Sequence, residues 1–318
     1  MKELEGVRDA SQRLCDNVEH VLVGKRAAIE LAALALFCEG HLLLEDVPGT
    51  GKTTLARALA QSVGGVFRRL QCTPDLLPSD VTGVSVFDQR AAAFVFRPGP
   101  VFANVLMADE INRATPRTQS AVLEAMQERQ VSVDGASHPL PRPFTVLATQ
   151  NPIELEGTFP LPEAQLDRFL VRLSLGYPDE DDERVMLRRV PGDAAQSPLA
   201  PVLAPDDVLA LHAACREVRV DEDVERYVVA VARATREEPD VRLGASPRAT
   251  LDLHRAVQTW AAMQGRPFAT PDDVKRLAVP VLAHRLVVSV EARLRGRGPR
   301  EIVEALLERV PVPVEPRR

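Results

Sequence analysis

The sequence predicts an α/β fold, a parallel sheet covered by helices on both faces, followed by a smaller helical region. Three observations carry this expectation. Up to Pro178, five short apolar runs alternate with helical patterns, the signature of a parallel sheet. A glycine-rich turn separates the first run from the next helix. Beyond Pro205 the strand signals stop and proline-led helix starts take over. With 318 residues, 45% of them hydrophobic and 26% charged, the chain can bury a substantial core without covalent staples.

In chain order, the first forty residues read as helical. Ile29, Ala32, Ala33, Leu36 and Phe37 share a helix face, and Gly40 is a plausible stop. His41–Asp46 is a buried strand by its length. Four similar runs follow, at Arg68–Cys72, Asn104–Asp109, Phe144–Thr149 and Phe169–Leu175, with helical patterns at Thr53–Val63 and Pro116–Arg129 among them. Two polar-tipped β patterns interrupt the plan. One is Val84–Phe96, with Asp88-Gln89-Arg90 at its tip; the other runs from Val131 and turns at Asp134-Gly135. After Pro178, an acidic helix start (Asp179–Glu183) leads into a Pro/Gly/Ala loop at residues 191–201. Pro205, Pro247 and Pro271 each suit the first helical position, the last two behind the capping hydroxyls of Ser246 and Thr270. Leu253, Ala256, Val257, Trp260 and Ala261 form a core-facing stripe that Gly265 ends. The expected organisation is a first domain over residues 1–178, a linker over 179–204 and a helical domain over 205–318.

Composition narrows the chemistry. Cys15, Cys38, Cys72 and Cys215 are widely spaced, with no CxxC pair and no histidine at zinc spacing, so free buried thiols are expected. The net charge of −6, the 13 aromatic residues and the presence of only 4 lysines beside 35 arginines disfavour a nucleic-acid coat. The apolar stretch Leu31–Cys38 is too short to span a bilayer, and the mixed-charge start MKELEGVRDA has no apolar signal region. A cytoplasmic protein that does not insert into a membrane is expected.

The sharpest local feature is Asp46-Val47-Pro48-Gly49-Thr50-Gly51-Lys52-Thr53-Thr54, between a predicted strand and a predicted helix. Glycines at 49 and 51 let backbone N–H groups face inward as an anion nest at a helix N-terminus. Lys52 would reach the β- and γ-phosphates of a nucleotide, and the Thr53 hydroxyl would ligate Mg²⁺. The usual phosphate-loop pattern begins with Gly, whereas Asp46 stands there in this chain. Further on, Val105-Leu106-Met107-Ala108-Asp109-Glu110 is an apolar strand ending in two acids. Asp109 can hold Mg²⁺, and Glu110, expected to point elsewhere in the pleat, can polarise a water toward the γ-phosphate. The strand Phe144–Thr149 ends in Gln150-Asn151, an amide that could hydrogen-bond the γ-phosphate or the water, or simply serve the turn.

Together PGTGKTT (Pro48–Thr54), LMADEINRATPRTQSAVLEAMQE (Leu106–Glu128), ATQNP (Ala148–Pro152), LPEAQLDRF (Leu161–Phe169) and ASPRA (Ala245–Ala249) resemble the MoxR family of AAA+ ATPases. The resemblance runs from about residue 5 to 290. It implies a five-stranded αβα core with a helical lid, ATP and Mg²⁺ as cofactors, and assembly as a homo-oligomeric ring, usually of six. By resemblance, Asp109 and Glu110 match the second Walker motif and Asn151 the first sensor. Arg168 matches the arginine finger given to a neighbour's nucleotide, and Arg248 the second sensor on the lid. A guanidinium inserted against a loose phosphoryl transition state suits that role. Arg168 could instead pair within the Asp167-Arg168-Phe169 turn. Arg248 would fall in a first helical turn, where a cation opposes the helix dipole. Arg113 and Arg117 could also face a neighbouring subunit, though solvated surface is the simpler reading. The two β interruptions resemble the helix-2 insert and pre-sensor hairpin of this clade, which tend to face the pore or client.

The resemblance implies chaperone-like remodelling or maturation of client or adaptor proteins, often ones with von Willebrand factor A domains. A nucleic-acid motor or loader, a magnesium-chelatase-like ATPase subunit and a nucleotide-gated scaffold are the alternatives. Acidity and the scarcity of lysine and aromatics weigh against the motor. Glu110 weighs against the scaffold, since a pure binding module needs no water-activating carboxylate.

Overall fold

Apolar runs too short for helices and flanked by glycine turns pair as parallel strands once helices cross back over them. The computed structural model, which describes residues 2–151, 157–188 and 199–312, shows this arrangement. Pro152 and most of the Pro/Gly/Ala stretch at 191–201 lie outside the described residues. Eleven strands occur among the described residues: β1 (Leu42–Glu45), β2 (Phe67–Gln71), β3 (Gly83–Asp88), β4 (Ala93–Pro98), β5 (Val105–Asp109), β6 (Gln130–Val133), β7 (Ala136–Pro139), β8 (Thr145–Gln150), β9 (Val171–Leu173), β10 (Val241–Leu243) and β11 (Val287–Val288). A five-stranded parallel sheet has the order β2-β5-β8-β1-β9. Leu42 pairs with Leu147, Val105 with Thr145 and Phe67 with Val105. All five residues of β5 are buried, as expected of a central parallel strand covered on both faces.

Two compact units form. The first holds the described residues of Gln12–Leu161 and Leu173–Leu209; the second holds those of Met1–Ser11, Pro162–Arg172 and Ala210–Arg318. Thus the Leu161–Phe169 motif divides: from Pro162 onward it belongs to the helical unit.

In the first unit, helices Arg26–Phe37, Lys52–Ser62 and Pro116–Glu128 follow the predicted patterns closely. The first of these stops differently from the expectation. Glu39, not Gly40, takes the left-handed conformation (φ 49°), and Gly40 N–H donates to the Ala35 carbonyl at 2.8 Å. The Glu39 carboxylate is buried beneath Arg129 and Arg142, with ion pairs of 3.0 and 2.6 Å, so long-range pairing fixes a turn that a glycine could have made alone. Both predicted hairpins form, β3 with β4 and β6 with β7. The first exposes Phe87 and Phe94 as a T-shaped pair, centroids 5.4 Å apart. Phe96 of that hairpin stacks on His138 of the second at 3.9 Å, which ties the two together.

In the helical unit, Pro247–Met263 begins at Ser246, whose hydroxyl accepts the Ala249 N–H at 3.1 Å. Pro271–Leu282 begins at Thr270, with Asp273 returning to the Thr270 N–H at 2.8 Å. The stripe Leu253, Ala256, Val257, Trp260 and Ala261 is buried as predicted. A short antiparallel ribbon, β10 with β11, lies within this otherwise helical unit. Two- and three-residue strands carry too little alternation for periodicity to reveal them.

Candidate nucleotide site

The site is built where β1, β5 and β8 end. After β1 the chain turns through residues 46–51 into helix Lys52–Ser62. Gly49 and Gly51 have φ of 85° and 94°, values that L side chains avoid. A Cβ at Gly51 would meet only the mobile end of Leu22, Cδ1 at 2.7 Å, so the backbone angle is what requires glycine there. The turn exposes its N–H groups at the helix N-terminus, a concavity suited to phosphate. Lys52 Nζ donates to the carbonyls of Asp46 (2.6 Å) and Val47 (2.9 Å), so its ammonium lies across the loop.

Pro48, Gly49, Gly51, Lys52, Thr53 and Thr54 line a cavity of about 400 Å³, together with Arg69, Asp109, Glu110, Thr149, Gln150 and Asn151. Thr50 is turned inward instead, its hydroxyl donating to the Val47 carbonyl at 3.2 Å. The loop, the two strand-end acids and the amide after β8, far apart in sequence, therefore meet in one cavity. Its donor set fits a nucleotide with a divalent cation: an ammonium and backbone N–H groups for phosphate, a hydroxyl at Thr53 and a carboxylate at Asp109 for the metal.

The two acids are held differently. Asp109 is buried at the end of β5, where Thr149 Oγ1 donates to its Oδ1 at 2.7 Å and Arg69 pairs with its Oδ2 (Nε at 3.1 Å). Glu110 does not owe its direction to the pleat, as the sequence reading expected. It has already left the strand in the left-handed conformation (φ 55°), fixed by its N–H donating to Thr149 Oγ1 at 2.8 Å. Such a conformation costs a non-glycine residue about 1–2 kcal/mol, a strain typical of functional sites. The Glu110 carboxylate accepts from Arg113 at 3.0 Å and Gln71 at 3.4 Å. Arg113 is thus engaged within its own chain, and Arg117 is exposed. Behind the acids, burial pushes the Cys72 thiol pKa up to about 12, and the Asp109 and Glu110 charges push the same way.

Two contributors escaped the sequence reading. Arg69 has no motif spacing to mark it, because it reaches Asp109 across the β2–β5 pairing. Asp46, left unexplained by the phosphate-loop pattern, is buried and accepts from Leu175 N–H (2.5 Å), Gly176 N–H (2.9 Å) and Ser174 Oγ (3.1 Å). It anchors the start of the loop to the segment after β9, a role that no local pattern announces. Arg168 and Arg248 belong to the helical unit. Arg168 is half-buried between Asp167 and the fully buried Phe169, and Arg248 is exposed in the first turn of Pro247–Met263.

Comparison with known proteins agrees with this geometry. Residues 41–171 match the model of an ATPase family associated with various cellular activities (AAA), and residues 233–306 match an AAA lid domain. Chaperone MoxR1 of Mycobacterium tuberculosis is 41% identical over 95% of this chain and 82% of its own. The chain belongs to the MoxR family of AAA ATPases. Protein MoxR of Methylorubrum extorquens is 32% identical over 96% of both chains, and the uncharacterized protein YeaC of Bacillus subtilis is 47% identical over 94% of both. The fold is shared with a crystal structure from Cytophaga hutchinsonii assigned as an ATPase, with a TM-score of 0.91, 37% identity and 98% coverage of each chain. In this chain the five-stranded order places the end of β1 beside that of β8, with the end of β5 on the far side of β8.

Proposed function

We propose that this MoxR protein is an Mg²⁺-dependent ATPase that assembles as a homo-oligomeric ring of six and uses turnover to remodel or mature client proteins. The observation that carries the reading is the convergence of the 46–54 loop, Asp109, Glu110 and Asn151 on one cavity. The loop N–H groups and Lys52 would bind the phosphates, while Thr53 and Asp109 would hold the cation, whose charge would offset that on the transferred phosphoryl group. Glu110 acts as general base toward a water that Asn151 helps to orient. Arg168 serves a neighbour's nucleotide, and Arg248 acts from the lid, residues 205–318 in the sequence division. The relative named Chaperone MoxR1 and the exposed, apolar β3–β4 hairpin support protein clients; partners with von Willebrand factor A domains are proposed from the family resemblance alone. No helix among the described residues is long and apolar enough to cross a membrane.

Glu110→Gln should retain ATP while turnover falls by about 10²–10⁴-fold, the usual worth of a positioned base. Held in ATP, this variant should co-purify a defined client from native lysate, identified by mass spectrometry. Undiminished turnover removes Glu110 from the chemistry, and recovery of nuclease-sensitive material in place of protein contradicts the client reading.

A further inference from the structure

Arg168 is bracketed by contacts that all lie within the helical unit. On one side, the Ser246 hydroxyl lies 2.8 and 3.0 Å from the two carboxylate oxygens of Asp167. The same oxygen accepts the Ala249 N–H at 3.1 Å, so one hydroxyl caps the helix and holds Asp167 at once. Arg248 stands between Ser246 and Ala249 on that first turn. On the other side, the carbonyl of Phe169 accepts from Arg285 at 2.6 Å and lies 2.9 Å from His284 Nε2.

Arg285 is almost fully buried. It pairs with Asp252 at 2.8 Å, on the helix that carries Arg248, and reaches Asp167 at 3.6 Å. His284 is buried, and burial together with the Arg285 charge holds its pKa well below the ordinary value. A buried guanidinium is an expensive way to fill a core, because well-packed apolar residues are often at least as stable. What such a group does supply is a fixed register for whatever it binds, and here it binds the backbone next to Arg168.

We infer that Ser246, seconded by Arg285 and Asp252, is a positioning residue that ties Arg168 to the helix bearing Arg248. Both arginines are thereby mounted on one piece of the helical unit, which fixes the position from which Arg168 is offered to a neighbouring subunit. This rests on the proposal that Arg168 acts across a subunit boundary. The contact it adds is the hydroxyl–carboxylate link between Ser246 and Asp167.

Mixed rings test it. Lys52→Ala subunits bind no nucleotide but still donate Arg168, so mixing them with Arg168→Ala subunits should restore turnover that neither shows alone. Placing Ser246→Gly on the Lys52→Ala donor should cut the restored rate by about ten- to a hundredfold, the scale expected when a transition-state group is misplaced by about 1 Å. Glycine keeps most of the N-cap stability, and Ser246→Thr, which keeps the hydroxyl, should restore turnover as well as the unaltered donor does. By itself, Ser246→Gly in the wild-type background should unfold close to the wild-type denaturant midpoint, separating positioning from loss of fold. Full restoration by the Ser246→Gly donor, or equal failure of the Ser246→Thr donor, overturns the inference alone. A parent mixture that restores nothing removes the trans-acting reading of Arg168, and this inference with it.

Discussion

The two units hold their functional residues by opposite means. In the αβα unit the placement is made chiefly by backbone: left-handed glycines at 49 and 51, a left-handed Glu110, and strand ends brought side by side by parallel pairing. In the helical unit it is ionic, with Arg285 gathering Asp252 from 33 residues away and Asp167 and the Phe169 carbonyl from more than a hundred. A phosphate-binding loop needs N–H groups aimed at one point, which a short sequence can specify by itself. An arginine that must reach another molecule needs its base held rigidly, and that takes tertiary structure.

The contrast can be broken at several places. Cys72 tests how completely the αβα unit is closed behind its strand-end acids, since burial is the main cause of its raised pKa and the Asp109 and Glu110 charges add to it. With its pKa near 12 against an ordinary 9.0, the thiolate fraction at pH 8 is about a thousandfold lower than in unfolded chain. Iodoacetamide should therefore modify native Cys72 at least that much more slowly than the denatured protein; labelling at comparable rates contradicts that closure. Asp252→Ala tests the ionic unit. It leaves Arg285 buried with a lost partner and should lower stability by about 3–5 kcal/mol in denaturant unfolding. Arg113→Ala, at a half-exposed pair in the αβα unit, should cost no more than about 1 kcal/mol. Equal losses would erase the distinction. Smaller still is the effect at Arg69, whose half-exposed guanidinium shares Asp109 with any incoming cation. Arg69→Gln should lower the Mg²⁺ concentration for half-maximal nucleotide binding by about two- to fivefold, since such a pair is worth at most about 1 kcal/mol. An unchanged or raised requirement would show that Arg69 does not compete with the metal.

The same contrast explains what the sequence made legible. The apolar runs, the Pro-led helix starts and the glycine loop are patterns within ten residues, and each appears where it was expected. The acids at 109 and 110 were readable as a pair, but the turn that separates them was not, because a left-handed glutamate is stabilised by Thr149 from a neighbouring strand. Asp46 breaks the loop pattern for a reason that lies 128 to 130 residues away. Arg168 and Arg248 stood out only through family resemblance, and their connection through Ser246 depends on a helix cap meeting a distant carboxylate. Local chemistry writes itself into local sequence; contacts across the fold do not.

The most direct measurement of the central claim, that the loop and acids of one subunit work with the arginine of another, is steady-state ATP turnover of Lys52→Ala and Arg168→Ala rings mixed in varying ratio. The account predicts near-zero activity for each alone, with Arg168→Ala depressed by about 10³-fold or more, and a maximum at intermediate mixtures. A flat profile across all ratios, with both variants correctly folded and assembled, would contradict it.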